Sequence, residues 1–243
     1  MVYEIAGLRV CLDNQFPFTT KFCQLYEAEN QTLPVDVTST VTQAELEEEK
    51  RLTPQFSIGY IENICLYRNL CLQLPSFNRM LLHAAILEYA GNGYAFLGRS
   101  GTGKSTHTGL WLEYVGGRIV NGDKPILSFT EAEVLAHGTP WMGKEGRGCK
   151  ASVPLKALCF LEQAKENKIV RLSPAEAAVR LFSQLLLPTE EESAEKTLEL
   201  ADRLLSLVPA YLLSCDISQE AVKTSFEALV GQPYQKLDLG EKR

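Results

Sequence analysis

A glycine-rich stretch in the middle of the chain carries residues that can bind phosphate. Residues 98–106 read GRSGTGKST and fit the pattern GxxxxGK[ST]. In this pattern the glycines let backbone N–H groups turn toward phosphate oxygens, the lysine contacts the β- and γ-phosphates, and the next hydroxyl binds Mg²⁺. We therefore predict a nucleotide-phosphate site made of Gly98, Ser100, Gly101, Thr102, Gly103, Lys104, Ser105 and Thr106.

The sequence around this stretch has the order strand, loop, helix that the pattern requires. Residues 93–97, GYAFL, are apolar and aromatic, which favours a short strand. Residues 105–114 contain no proline and carry apolar residues at helical spacing. The positive end of that helix would point at the same anion. Lys104 is then expected to be an exposed loop lysine whose charge faces the transferring phosphate.

Two residues outside the loop are candidates for catalysis. Asp123 follows a β-rich run 18 residues beyond Ser105, and its carboxylate can hold Mg²⁺ or accept the proton of an attacking hydroxyl. The alternative is a turn aspartate, because Asn-Gly-Asp-Lys-Pro is rich in turn formers. His83 lies in an apolar run, where a histidine usually packs in the core. Ser105 and Asp123 together are the predicted metal ligands.

Other cations and histidines are weaker candidates. Residues 138–148 contain four glycines, and such a loop carrying Lys144 and Arg147 can close over an anionic group or form a solvated hairpin tip. Lys144 is the preferred substrate-binding cation. His107 is expected to pack along the loop helix, and His137 has no predicted role.

Composition narrows the class of protein. The chain has 243 residues, is 45% hydrophobic, and carries a net charge of −6, which argues against a nucleic-acid or anionic-membrane binder. Seven cysteines without a CxxC pair suggest reduced, buried thiols. No secretory signal is visible, and no apolar stretch approaches the roughly 20 residues that span a bilayer. We expect a soluble, cytoplasmic protein.

The hydrophobic pattern divides the chain into two predicted domains. Residues 1–58 form a β-rich N-terminal appendage with a solvated charge run at 45–50, and residues 59–243 form the nucleotide-binding domain. The second domain begins with a helix at 60–72 and a buried strand at 80–89, which makes a hairpin with the strand before the loop. Further strands are expected at 118–123, 126–129, 134–135, 153–161 and 211–213.

The last third of the chain reads as largely helical. Residues 173–176, Ser-Pro-Ala-Glu, form a capping box with proline at the first helical position. A second box is expected at 189–192, and Asp216 with Gln219 is expected to cap a last helix that closes at Gly231. These helices would supply core packing and a surface for self-association.

The segment 83–123 resembles the catalytic core of HPr kinase/phosphorylase and of phosphoenolpyruvate-carboxykinase-like kinases. The shared order is a histidine-bearing strand, a hairpin, the GRSGTGKST loop and an acidic segment. The resemblance implies an α/β fold with a P-loop core on a mixed, largely antiparallel sheet, and it places His83 near the active centre. A less characterised bacterial branch is closer still, with GxSGTGKSTHTxLW, GDKP at 122–125 and TPWxGKEG at 139–146.

The resemblance implies a kinase that uses ATP or GTP with Mg²⁺ to phosphorylate a hydroxyl on a small molecule, peptide or protein. Asp123, His83 and Lys104 would be the catalytic residues. The related kinases carry two adjacent aspartates where this chain has Gly122 and Asp123, so only one acid transfers. A nucleotide-binding regulator without phosphotransfer therefore remains an alternative. A carboxykinase-type reaction on a small organic acid is disfavoured because arginine-rich acid-binding motifs are absent.

Overall fold

The computed structural model describes residues 1–235, and it contains twelve strands and seven α-helices in that range. The strands are β1 (Val2–Ile5), β2 (Leu8–Leu12), β3 (Val37–Ser39), β4 (Arg79–Leu81), β5 (Ala84–Tyr89), β6 (Asn92–Leu97), β7 (Arg118–Asn121), β8 (Ile126–Phe129), β9 (Val134–His137), β10 (Ser152–Gln163), β11 (Lys168–Arg171) and β12 (Ala210–Cys215). The helices are α1 (Pro17–Phe22), α2 (Gln43–Leu52), α3 (Ile58–Gln73), α4 (Lys104–Tyr114), α5 (Pro174–Phe182), α6 (Glu191–Leu207) and α7 (Gln219–Val230).

The N-terminal region is a small sheet with helices rather than a purely β structure. Strands β1 and β2 are antiparallel, and β3 joins β2 in parallel. The predicted charge run forms the middle of α2 because Thr42 and Glu45 cap its start reciprocally. One hydrophobic cluster joins this sheet to α3 and also to Ile126 and Trp141. This apolar cluster contains residues from both sides of position 58. The predicted domain boundary at residue 58 stays a prediction.

The large sheet has nine strands and is mixed. Its main path runs β4-β8-β9-β10-β6-β5-β7, and β12 adds to β10 and carries β11. Only the pairs β10–β6 and β10–β12 are parallel, and the other pairs are antiparallel. The prediction of an α/β protein with a mixed sheet is therefore confirmed.

The strand directions bring several connections to one edge of this sheet. Strands β6, β10 and β12 run the same way, and β5 is antiparallel to both β6 and β7. The ends of β6, β7, β10 and β12 and the start of β5 therefore lie at the same edge. Ligands in open α/β sheets bind at the carboxyl ends of strands. This edge is where the candidate site is built.

The prediction of a single strand at 80–89 was wrong, because the structure has two strands there. The run is divided into β4 and β5, which lie in different parts of the sheet because β4 pairs with β8 while β5 pairs with β6 and β7. His83 lies in the break between them, where its N–H donates to the Gln184 carbonyl at 2.9 Å. The break moves His83 out of the strand to the edge of the sheet. The predicted hairpin of β5 and β6 is confirmed.

Two of the predicted helix caps are shifted along the chain. The box at Ser173 and Glu176 is confirmed, and α7 closes at Gly231 in the left-handed conformation. Helix α6 is capped by Glu190 instead of Thr189, and α7 by Ser218 instead of Asp216. Several acceptors compete within two or three residues at each start, so the pattern located the helices but not their caps.

Two further features bear on the class of protein. Among residues 1–235, no helix is long and apolar enough to cross a membrane. All seven cysteines are free thiols, and Cys23, Cys65, Cys71 and Cys159 are buried.

Candidate functional site

The glycine-rich loop connects β6 to α4 at the edge of the sheet where β6, β7, β10 and β12 end. Gly103 precedes α4 with φ of 105°, a conformation that L side chains rarely adopt, so glycine suits this position. The Thr102 hydroxyl donates to the Arg99 carbonyl at 2.8 Å and tightens the turn. The first N–H groups of α4 have no acceptor within the helix and are available to an anion at its start. The loop therefore has the geometry of an anion site at a helix N-terminus.

Lys104 is buried, contrary to the expectation of an exposed loop lysine. Its side chain turns back over the loop, where its ammonium donates to the Gly98 carbonyl at 2.7 Å, and 8% of the residue is exposed. Burial lowers the pKa of this ammonium, while the charge of Asp123 acts in the opposite direction. Lys104 is the first residue of α4, and its ammonium lies against the loop that precedes the helix. Its charge is therefore held in a partly desolvated position.

The structure brings His83 and Asp123 together. His83 Nε2 lies 3.2 Å from Asp123 Oδ1. The pairing is fixed by the backbone, because the Ala84 N–H donates to the Asp123 carbonyl at 3.1 Å. The pair has the arrangement of a carboxylate–imidazole unit, in which the acid orients the ring.

The charges around Asp123 keep its carboxyl group ionised. Burial raises the pKa of Asp123, but the hydrogen bond and charge of His83 and the charges of Lys124 and Lys104 lower it more. The net effect is a pKa below the usual carboxyl value. Asp123 is therefore an anion at neutral pH.

A buried asparagine shapes the turn that carries Asp123. The Asn121 side-chain oxygen accepts from the N–H groups of Asp123 at 2.9 Å and Lys124 at 2.7 Å. Its amide donates to the Thr139 hydroxyl at 3.0 Å, and both Asn121 and Thr139 are fully buried. Asp123 can therefore be both a turn residue and a catalytic candidate, because the turn fixes the position of its carboxylate. Asn121 was not singled out in the sequence, although Asn-Gly-Asp was visible there.

The loop at 138–148 packs against Asp123. Gly143 has φ of 78°, and a Cβ on it would lie 2.9 Å from the Asp123 Cβ, so a side chain there would push the acid away. The guanidinium of Arg147 lies beside α4, since a Cβ on Gly109 would be 3.8 Å from one of its nitrogens. Arg147 also pairs with Glu145 at 3.5 Å. The loop is therefore a wall of the site and not a distant hairpin tip.

These groups surround one cavity of about 730 Å³. Most of the predicted site residues line it, namely His83, Ser100, Gly101, Gly103, Lys104, Ser105, Thr106, Asp123 and Lys144. Gly98 and Thr102 do not line this cavity. Gly143 and Glu145, which belong to the predicted 138–148 loop, also line the cavity, and so does the segment 183–186 after α5, which no pattern in the sequence indicated. That segment arrives from far along the chain through pairing with the backbone of His83.

The position of the missing second acid is closed by packing. A Cβ on Gly122 would lie 3.0 Å from the Met142 carbonyl oxygen and 3.1 Å from that of Arg147. These are tight contacts with backbone atoms, so a longer side chain would displace the 138–148 loop. Asp123 is therefore the acid that this turn can present to the cavity.

The residues present suit a magnesium ion that is shared with phosphate. Within residues 1–235, no group of three or more His, Cys, Asp or Glu side chains is arranged to hold a metal. Mg²⁺ commonly takes one or two carboxylates and completes its shell with substrate phosphates and water. Ser105 and Asp123 line the same cavity and fit that partial set.

The other two histidines are structural. His107 is buried, and its Nε2 lies 3.0 Å from the Ser225 hydroxyl and 3.2 Å from the Trp111 indole nitrogen. His137 lies between the hydroxyls of Ser128 and Ser152. Burial lowers the pKa of both rings to about 4, so each is neutral at pH 7. His107 is a packing residue, as expected.

The fold and site define an α/β protein with a glycine-rich loop beside an acid–histidine pair. A family model described as "SynChlorMet cassette protein ScmC" matches residues 61–226, and the chain belongs to this family. Among solved structures, the Hpr(Ser) kinase/phosphatase from Coxiella burnetii is a distant match at 13% identity. The match has a TM-score of 0.27 and covers 52% of this chain and 92% of that one. No curated protein matches the chain.

Proposed function

We propose that this protein is a kinase that transfers the γ-phosphoryl group of ATP or GTP to a hydroxyl group. The observation that carries the proposal is the His83–Asp123 pair, 3.2 Å apart, in the same cavity as the glycine loop and Lys104. Phosphoryl transfer needs phosphates held in place, charge stabilisation and a group that receives the acceptor proton. The three parts meet at one edge of one sheet.

The pair offers a way for one carboxylate to serve two roles. Asp123 Oδ1 contacts His83, which leaves Oδ2 for the metal side. The imidazole then receives the hydroxyl proton while the acceptor oxygen bonds to the γ-phosphorus and the β–γ bridge breaks to release the nucleoside diphosphate. Ser105 and Asp123 would hold Mg²⁺, which supplies charge neutralisation of the phosphates when bound.

The acceptor side of the cavity is formed by the 138–148 loop and residues 183–186. Lys144 and Arg147 offer cations there, and they suit an acceptor that carries negative charge or the phosphates themselves. The side-chain oxygen of Gln184 is buried and has no hydrogen-bond partner among the described residues. An acceptor hydroxyl or amide that donates to it would satisfy this oxygen. These features support a small polar molecule or a peptide or protein side chain as the acceptor.

The direct test follows the fate of labelled γ-phosphate. The full chain is incubated with Mg²⁺, labelled ATP or GTP, and panels of hydroxyl compounds, peptides and proteins. Label should appear on an acceptor with the parent protein and with Lys21→Ala, an exposed lysine on α1, but not with Lys104→Ala. Transfer that persists in a folded Lys104→Ala protein would contradict the proposal.

A nucleotide-binding regulator remains the second candidate, because Gly122 stands where the resembling kinases carry a second aspartate, which leaves Asp123 as the acid of this turn. For that function, ATP would bind with Mg²⁺ but would not be consumed with any acceptor. Nucleotide consumption that an acceptor accelerates would decide for the kinase.

A further inference from the structure

A second cavity of about 360 Å³ lies beside the glycine loop, outside the site described above. Gly101, Gly103 and Thr106 line both cavities, so the loop is the partition between them. The volume is within the range of about 300–1,000 Å³ that small-molecule sites occupy. A ligand whose phosphates rest on the loop can therefore extend into this second space.

The topology places the second cavity at the ends of parallel strands. Strand β10 lies between β6 and β12 and is parallel to both, so the three strands end at the same edge, where Gln163 pairs with Cys215. Gln163 donates to the Gly101 carbonyl at 3.1 Å and ties the floor of the cavity to the loop. The first cavity lies on the opposite side of the loop, toward β5 and β7. The glycine loop, which follows strand β6, lies between the two cavities.

One part of the second cavity's lining is apolar. Leu110 from α4, Leu161 from β10 and Ile217 after β12 form its walls. Ile217 is 78% exposed, so it offers apolar surface that a ligand in this cavity can cover. A flat ring placed against these side chains would cover them from water.

One charged side chain is present at this wall. Within residues 1–235, the hydrogen bonds to the Asp216 carboxylate reach Oδ1, from the Asn167 amide and the Ser218 N–H at 3.0 Å each and from the Ser218 hydroxyl at 2.5 Å. These bonds fix the carboxylate and leave Oδ2 able to accept from a ligand. His107 is also part of the wall, and its buried Nδ1 has no partner among the described residues.

We propose that the second cavity holds the nucleoside half of the nucleotide, with the purine ring against Leu110 and Ile217. Asp216 accepts a hydrogen bond from a ribose hydroxyl or from a ring N–H. The triphosphate then crosses the loop at Thr106 and ends in the first cavity. This inference rests on the proposed function, since it requires the loop to bind the phosphates.

The test compares a nucleotide with its phosphate chain alone. Calorimetry of the full chain measures the Kd of MgATP, MgGTP and magnesium tripolyphosphate. Ile217→Ala should weaken ATP and GTP roughly fivefold, by removing apolar contact, and leave tripolyphosphate unchanged. Val179→Ala is the matched control, because Val179 is 77% exposed on α5 and lines neither cavity. An unchanged ratio of ATP to tripolyphosphate affinity in Ile217→Ala would overturn the inference.

A second variant identifies the donor that Asp216 binds. Asp216→Asn keeps an oxygen for the Ser218 contacts and removes the charge. If the variant binds ATP more weakly but 2′-deoxy-ATP unchanged, Asp216 accepts from the ribose hydroxyl. If it binds only GTP more weakly, Asp216 accepts from the guanine edge. Either result supports the inference. If no nucleotide is affected, the role of Asp216 is wrong. If the parent chain binds tripolyphosphate as tightly as ATP, the inference fails while the phosphate site stands. If it binds neither, the proposed function itself fails.

Discussion

The two cavities on either side of the glycine loop differ in charge. The first is lined by His83, Lys104, Asp123, Lys124, Lys144, Glu145 and Arg147. Among the described lining residues of the second, Asp216 is the one charged side chain at neutral pH, because burial holds His107 neutral and raises the pKa of the Cys215 thiol to about 11. Both cavities lie at the same edge of the same sheet, so the sheet alone does not set their chemistry.

The difference comes from the connections that follow each strand. The 121–124 turn and the 138–148 loop bring charged residues to the first cavity, while β10 and β12 end in residues that are mostly uncharged. Such loops on a rigid scaffold are where function is usually placed. We therefore expect changes in the first cavity to reduce the rate of transfer, and changes in the second to reduce affinity.

Lys104→Ala should have the largest effect. It removes the charge aimed at the phosphates, so nucleotide-dependent turnover should be abolished. Loss of the bond to Gly98 should cost about 1 kcal/mol of stability, which leaves the protein folded. Turnover assays with thermal unfolding of the same sample check both points. Unchanged turnover in Lys104→Ala would contradict the expectation that changes in the first cavity reduce the rate, because the loop would then play no part in the reaction.

Asp123→Asn should lower turnover by roughly 10²-fold or more, because it removes the charge that supports the His83 base and serves the metal side, with a smaller loss of nucleotide affinity. His83→Gln should also lower turnover. If the two residues act as a pair, the double variant should fall little further than Asp123→Asn alone, since effects within one unit are not additive.

Steady-state kinetics of the two single variants and the double variant form the test. Fully additive losses would show that His83 and Asp123 act separately despite the 3.2 Å contact. An Asp123→Asn protein with parental turnover would leave Asp123 a turn residue and favour the regulator.

Acid should destabilise the wall of the second cavity through His107. Its folded pKa of about 4 is below the usual value of 6.5, so the unfolded chain takes up the proton first. Stability is therefore full above about pH 6.5 and is lost as the pH falls toward 4, by up to about 3 kcal/mol for this ring. His137, whose pKa is also about 4, adds a similar loss.

Denaturant unfolding at several pH values between 7 and 4 measures this loss. His107→Gln should flatten the pH dependence in part and leave the contribution of His137. A pH dependence identical to that of the parent would show that His107 is not held neutral in the fold.

Ser105→Ala should have the smallest effect, about tenfold on the affinity for MgATP. The hydroxyl is one ligand among several, and phosphates, water and Asp123 still hold the ion. Calorimetry with and without Mg²⁺ should show that the parent gains more from the metal than the variant does. Equal affinity with and without Mg²⁺ in the parent would argue against a metal-bridged site.

Local patterns predicted a large part of the fold and of the candidate site. The strands at β6, β7, β8 and β12, the helix α4 and the glycine loop were all predicted because periodicity and turn chemistry act over a few residues. The break at His83 was not predicted, since it depends on pairing of β4 with β8 and of His83 with Gln184. The burial of Lys104 was missed because its own loop encloses it.

The amino-acid sequence by itself determined the loop and the acid after β7, because these follow from short-range geometry, and its resemblance to known kinases implied the α/β class of fold. Tertiary structure alone decided that His83 meets Asp123 at 3.2 Å and that Gln184 joins the same cavity. It also decided that β10 and β12 open a second, largely uncharged cavity behind the loop. Those contacts join residues far apart in the chain, and their distances exist only once the strands have paired in register.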